Sequence, residues 1–247
     1  MHYRPDNMIV TVAGGVTEKT ALKLVEKYFS SLPSPKGTTF KGQTFKLTQK
    51  KPQFFLQTKK SEQAHLILGF TAEGRGYKNK FAQSLLSIIL GAGMSSRLFI
   101  EVRERRGLAY SVRTSFDRYQ DIGYIGTYAG VNVEKVDEAI KVILEQCYGI
   151  SNGKFPISNK EIDKAKGFLK GTLALALEDT HDVSGFFGEQ ELFRSDVLTP
   201  EEIYKNIDKV SLDDIYFEAK KLFVPENLNL AIIGPFKDKE KFVNLLK

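Results

Sequence analysis

One cysteine in 247 residues, Cys147, leaves no partner for an intrachain disulfide and no thiolate cluster for a metal. That scarcity fits a reducing compartment, and a cytoplasmic location is expected. Histidine is nearly as rare. His2, His65 and His181 stand alone, with no second histidine four residues away and no glutamate at a helical metal-binding spacing, so no zinc site is expected in this chain. His65 falls inside an apolar run and reads as a satisfied core or edge residue, while His181 follows Asp179 and reads as a cap or surface residue. No apolar stretch approaches the roughly 20 residues of a membrane-spanning helix, and the first residues show no basic-then-apolar leader pattern. No membrane partner is expected. There is no G-x-S-x-G elbow, and Cys147 lies on a helical pattern without a neighbouring histidine, which argues against serine or cysteine hydrolysis. The net charge of +6 comes from scattered Lys and Arg without a basic tract, so nucleic acid is not an expected partner.

Two glycine-bearing stretches also fail as nucleotide sites. In Gly149–Phe155, Phe155 stands where a phosphate loop needs Ser or Thr for magnesium, and Gly91 with Gly93 lacks the third glycine of a dinucleotide fingerprint.

The sequence does contain an internal repeat. PDNMIVTVAGGVTEKTALKLVEK (Pro5–Lys27) lies over PENLNLAIIGPFKDKEKFVNLLK (Pro225–Lys247) at a fixed offset of 220 residues, aligning Pro5 with Pro225, Asn7 with Asn227 and Gly14 with Gly234. Each copy reads as turn, apolar strand, glycine break and helix. The first copy is represented only by its last strand and helix, so the chain is expected to be a piece of a longer duplicated protein.

Within the first copy Thr17 caps a helix, and beyond it residues 33–52 form a polar stretch with the character of a linker. Gln53–Thr58 and Gln63–Phe70 are β-like runs joined by a short charged turn, which predicts a hairpin. A helix follows over about Lys78–Leu90, and Leu108–Phe116 and Gly123–Val131 pair around Gln120 and Asp121. The apolar spacing of Val133, Val136, Ile140, Ile143 and Leu144 predicts a helix with one buried face, and Cys147 belongs to its packing. Ser158 with Glu161, Thr199 with Glu202 and Ser211 with Asp214 start three more helices. Strands, then helices, then a closing strand at Leu228–Ile233 argue for an α+β two-layer sandwich, a largely antiparallel sheet with helices on one face.

The stretch that carries chemistry is GAGMSSRLFIEVRERRGLAYSV, Gly91–Val112. Arg103 lies in the last turn of a short basic helix that Gly107 can end in the left-handed conformation, and Tyr110 opens the next strand. A guanidinium and a phenol at one corner suit a peptide carbonyl or a carboxylate.

This segment closely resembles the second-half signature of the M16 metallopeptidases, the family of insulin-degrading enzyme, pitrilysin and the mitochondrial processing peptidases. The likeness spans nearly the whole chain, with YRPDNMIVTVAGGV similar to the strand that ends the first M16 domain, QAHLILGF to an early strand of the second, and Glu178–Phe193 to its later helices. It implies the M16/LuxS-like metallohydrolase fold, in two related domains facing across a chamber. Residues 1–32 would close the preceding domain, 33–52 link the two, and 53–247 form the second. In active members the first domain binds zinc through His-x-x-Glu-His, a motif this chain lacks, so zinc is expected in the parent protein and not here. The second domain supplies an arginine and a tyrosine that map onto Arg103 and Tyr110 as substrate-binding residues.

The resemblance thus implies the substrate-clamping half of a zinc endopeptidase acting on peptides or unfolded proteins, inactive alone, with the N-terminal M16 domain or a partner subunit completing it. The alternative is a noncatalytic M16 homologue serving as scaffold or partner subunit. Ala92 replaces a frequent third glycine, and the turn lacks the longer glycine-rich insertion that resembles a presequence-recognition loop, so reading of targeting peptides is not implied. The apolar strand at Met8–Ala13, orphaned from its sheet, is expected to favour self-association.

Overall fold

The computed structural model describes residues 5–33, 44–193 and 196–246. They fall into two units, one of Met1–Thr44 with Lys170–Lys205 and the other of Phe45–Leu169 with Asn206–Lys247.

The larger unit is built on a five-stranded sheet. Its strands are β1 (Gln53–Thr58), β2 (Gln63–Glu73), β3 (Ala109–Arg118), β4 (Ile122–Asn132) and β5 (Leu228–Gly234), ordered β1-β5-β2-β4-β3. Only β1 runs parallel to its neighbour, β5, and the other pairs are antiparallel. The expected β1–β2 hairpin does not form: β5 lies between the two strands, with His65 opposite Ile233 and Phe54 opposite Leu230. The cause is apolar burial. β5 sends Leu228, Leu230 and Ile232 into the core at 0–2% exposure, and a strand so buried gains most at the centre of a sheet.

One face of the sheet carries the core. Leu66, Leu68 and Phe70 of β2 and Ile125, Ala129 and Val131 of β4 alternate inward. Over them pack α2 (Lys80–Gly91) with Leu85, Leu86 and Leu90, α3 (Val136–Ser151) with Val136, Ile140 and Ile143, and α7 (Leu212–Leu222) with Ile215 and Ala219. Cys147 packs on α3 as expected, and burial pushes its thiol well above the usual range. In chain order, α4 (Asn159–Ala176), α5 (Thr180–Phe193) and α6 (Pro200–Lys209) come after α3 and before α7, and α8 (Lys239–Leu245) follows β5. Phe242 of α8 stacks on Phe54 at 5.6 Å, tying the terminal helix to the edge strand. The three capping boxes form as the sequence predicts. The Glu161, Glu202 and Asp214 carboxylates receive the cap N–H of Ser158, Thr199 and Ser211 at 2.9, 2.8 and 2.8 Å.

A polar network joins α2, α7 and β2 inside this layer. Glu218, fully buried, accepts from Tyr77 Oη at 2.8 Å, Asn79 Nδ2 at 2.9 Å and Gln83 Nε2 at 2.9 Å. Three donors around one carboxylate offset its loss of water.

The other face of the sheet is open. Phe55, Ile67, Ile233 and Tyr124 point outward there at 37–64% exposure. His65 is exposed on the same face of the central strand β2, so the expected core or edge placement is corrected.

In the smaller unit, Thr17 caps α1 (Glu18–Phe29) by accepting from Thr20 N at 3.3 Å. His181 lies exposed in the first turn of α5, where its N–H donates to Asp179 Oδ1 at 2.7 Å. Met8–Ala13 forms no ladder with any described strand, a correction to the strand expected there. A strand exists only through pairing, and no described strand belongs to this unit. The segment instead lies against α5, close enough that a Cβ on Gly188 would meet Thr11 Oγ1 at 2.8 Å. Of the expected linker, residues 34–43 lie outside the described residues. Its later part meets the sheet in the larger unit, where Phe45 N donates to Asp121 Oδ2 at 3.1 Å and Gln49 Nε2 to Leu228 O at 3.0 Å.

Candidate substrate-binding site

Gly91 ends α2 where that helix crosses β3. A Cβ there would come 2.0 Å from Thr114 Oγ1 and 2.7 Å from Thr114 N, so no larger residue permits the approach. Arg97 then fixes the next segment. Its guanidinium bonds Glu161 at 2.7 and 3.1 Å and the carbonyls of Phe155 and Pro156 at 2.9 and 2.7 Å, a bidentate pair with both remaining edges satisfied.

Arg103 sits, as expected, at the end of a short basic helix, but the turn that holds it, Phe99–Glu104, is π-helical. Arg105 N reaches back to Ile100 O at 2.8 Å. The closure is widened to match: Gly107 N bonds Arg103 O at 3.1 Å, and Leu108 N bonds Val102 O at 2.8 Å, six residues back where the Schellman closure of an α-helix reaches five. Gly107 has φ +56°, the left-handed conformation anticipated from sequence. Glu101 anchors Arg105 and Arg106. The Arg103 guanidinium remains about half exposed, 4.9 Å from the Phe99 ring centroid and 4.0 Å from Glu104 Oε1.

Tyr110 is positioned by a β-bulge. Ala109 pairs with Val131 and Ser111 with Gly130, leaving Tyr110 as the extra residue of β3. The alternation set by the buried Val112 and Thr114 would otherwise send Tyr110 inward. The bulge reverses this, so Ala109 is 7% exposed and Tyr110 is 64% exposed. Tyr110 consequently lies outward like Ser111 and Arg113. Arg103 and Tyr110 flank the same glycine turn, and no hydrogen bond joins them among the described residues.

Sequence reasoning missed the residues beside them. His65 Nδ1 and Tyr128 Oη lie 2.8 Å apart on the open face, their rings stacked at 6.0 Å, and the Arg113 guanidinium rests 5.4 Å from the Tyr128 ring centroid. The available signal was parity, since odd positions of β2 and β3 and even positions of β4 share the open face. At the other end of that face lies an apolar hollow of about 420 Å³ walled by Phe55, Ile67, Tyr119 and Tyr124.

A sheet with helices on one face and the Tyr110 phenol exposed at the edge of the other defines an α+β two-layer domain. Among the described residues no three His, Cys, Asp or Glu side chains gather to hold a metal ion, so the donor set here does not fit zinc. The family model described as the peptidase M16 inactive domain matches residues 1–169, and the chain belongs to this family. It is 32% identical over 243 residues to an uncharacterized zinc protease of Streptomyces coelicolor, covering 97% of this chain and 52% of that protein. To the uncharacterized zinc protease YmxG of Bacillus subtilis it is 34% identical over 238 residues, covering 95% and 55%. The chain thus spans about half the length of the relatives it matches.

Solved structures agree on the fold. A protease from Helicobacter pylori superposes with a TM-score of 0.79 at 22% identity, over 90% of this chain and 54% of that one. The peptidase M16 inactive domain from Pseudomonas fluorescens gives 0.75 at 21%, over 90% and 52%. No described helix is long and apolar enough to cross a membrane.

Proposed function

We propose that this chain is the substrate-holding half of a zinc-dependent M16 endopeptidase. The observation that carries the reading is the paired distortion around Gly107, a π turn before it and a β-bulge after it, which leaves Arg103 and Tyr110 exposed as donors. Bulges and π turns re-aim side chains at a cost in regular pairing, and they concentrate at functional sites. In this reading the guanidinium and phenol bind the carbonyl oxygen of the scissile region and strengthen as negative charge develops on it. Zinc would belong to the other M16 half, as the naming of the relatives as zinc proteases suggests, and this chain's share is gripping and polarising the peptide. The division into residues 1–32, 33–52 and 53–247 is part of the same reading.

The test uses the protein assembled with its zinc-bearing half. Arg103→Ala and Tyr110→Phe should each lower kcat by about 10²-fold, the scale of losing one oxyanion donor, with zinc content unchanged. Unaltered peptide cleavage by both variants would sink the clamping role.

A second reading, a noncatalytic scaffold or partner subunit, draws on one likeness. A chain in complex III2 from Candida albicans shares this fold with a TM-score of 0.78 at 18% identity, over 94% of this chain. Copurification of the protein with a separate zinc-motif subunit, and cleavage only in that complex, would favour it.

A further inference from the structure

Among the described residues, Arg113 is an open-face cation whose charge no acidic side chain answers. Arg97 is paired with Glu161, Arg105 and Arg106 with Glu101, and Arg103 approaches Glu104. Arg113 has no ion pair among the described residues. Its cross-strand partner is Tyr128, and the positions around it on β3 and β4 are Ser111, Ser115, Gly126 and Gly130, none of them acidic. The nearest outward carboxylate on its own strand is Asp117, which accepts from Ser115 Oγ at 3.3 Å.

The guanidinium is also braced. It lies 5.4 Å from the Tyr128 ring centroid, and the Tyr128 hydroxyl is held 2.8 Å from His65 Nδ1. Ring and imidazole stack at 6.0 Å and 21°, so three strands contribute one ordered unit. The pair lies close over Gly130, where a Cβ would make ordinary contacts at 3.4 Å with Tyr128 Oη and 3.8 Å with His65 Nδ1. A planar cation held by a ring with its donor edges free is suited to a carboxylate. From the bulged Tyr110 to Arg113 the strand advances roughly 7–10 Å at ~3.3 Å per residue, or about two to three residues of an extended peptide.

We propose that Arg113, braced by Tyr128 and His65, is a carboxylate-binding subsite that favours peptides carrying an acidic group about two to three residues from the carbonyl held at Arg103 and Tyr110. This rests on the substrate-holding reading above. The carboxylate comes from an internal Asp or Glu side chain or from the peptide's C-terminus, and the chemistry at Arg113 is the same.

The experiment measures binding of dye-labelled extended peptides to the intact protein by fluorescence anisotropy at low salt. One peptide carries a single Glu, its twin carries Gln, and each is made with a free and an amidated C-terminus. The acidic form should bind about fivefold tighter, the ratio for an exposed ion pair near 1 kcal/mol, and the advantage should shrink with added salt. Arg113→Gln should bring that ratio to one. Lys141→Gln, an equal charge loss at an exposed position of α3 on the helical side, should leave the ratio intact. Loss of the advantage on Glu→Gln identifies a side-chain carboxylate, and loss on amidation identifies the C-terminus. An unchanged ratio in Arg113→Gln, or an equal fall in Lys141→Gln, overturns the proposal. Failure of the underlying reading looks different: Arg103→Ala and Tyr110→Phe would then leave the neutral peptide's affinity unmoved. Absence of saturable binding by every peptide overturns both.

Discussion

At the scale of single residues, Glu161 holds two jobs with one carboxylate. It receives the Ser158 N–H that starts α4 and it receives the Arg97 fork that pins the segment leading to Arg103. Burial pushes its carboxyl upward, but the bonds from Arg97 and Ser158 outweigh burial and hold it below the ordinary 4.5. A folded-state value that is depressed gives stability present in full above the unfolded value and lost as pH falls through the folded one. The wild-type protein should therefore weaken on acidification below about pH 4.5. Glu161→Gln should cost about 1–2 kcal/mol at pH 7, with a smaller deficit at pH 3, in urea unfolding at both pH values. An equal deficit at the two pH values would remove the carboxylate's charge from the explanation. The Ser158–Glu161 cap was legible in the sequence because its partners are three residues apart. Its bond to Arg97 was not, because the two are 64 residues apart and only the fold brings them together.

Among the elements, β5 shows where local pattern stops being informative. Its alternation identified a strand, and the charged turn after Gln53–Thr58 identified a reversal, yet neither states which strands become neighbours. Two strands joined by a four-residue turn need not pair, because that length also spans the ~10 Å across one intervening strand. β5 takes that place since both of its edges then find ladders and its inward side chains meet the helical layer. The same limit hid the bulge. Val112 and Thr114 set the parity of β3, and nothing in that alternation announces a one-residue shift at Tyr110. Interior placement of β5 has a measurable consequence. Ile232, fully buried, should cost about 2–5 kcal/mol when replaced by Ala. Its amide should exchange as slowly as those of β2, whereas an edge strand would lose protection early. Fast exchange throughout β5 would contradict the strand order.

For the whole molecule, the decisive facts are an Arg103–Tyr110 corner where no metal-ligand cluster gathers among the described residues and an apolar segment that joins no described ladder. The first gives a direct expectation: the purified chain should bind less than one zinc per molecule and should not cleave peptides. Tightly bound stoichiometric zinc, removed together with activity by a chelator, would contradict it. The second concerns Met8–Ala13, where Ile9, Val10 and Val12 remain 39–53% exposed although their spacing is that of a strand. Exposed β-branched residues beside unpaired backbone groups form a template for another chain. The internal repeat supplies a comparison within the same protein, because the matching segment, β5, is paired on both sides and sends three of its apolar residues into the core. What differs is the sheet around each copy. Met8–Ala13 should therefore seek a strand partner, and the protein should show a mass that rises with concentration in sedimentation equilibrium. Val10→Lys with Val12→Lys should suppress that rise without altering the unfolding of the larger unit, since both residues lie in the smaller one. A constant monomer mass for the wild type, or association untouched by the two lysines, would show that another surface governs assembly.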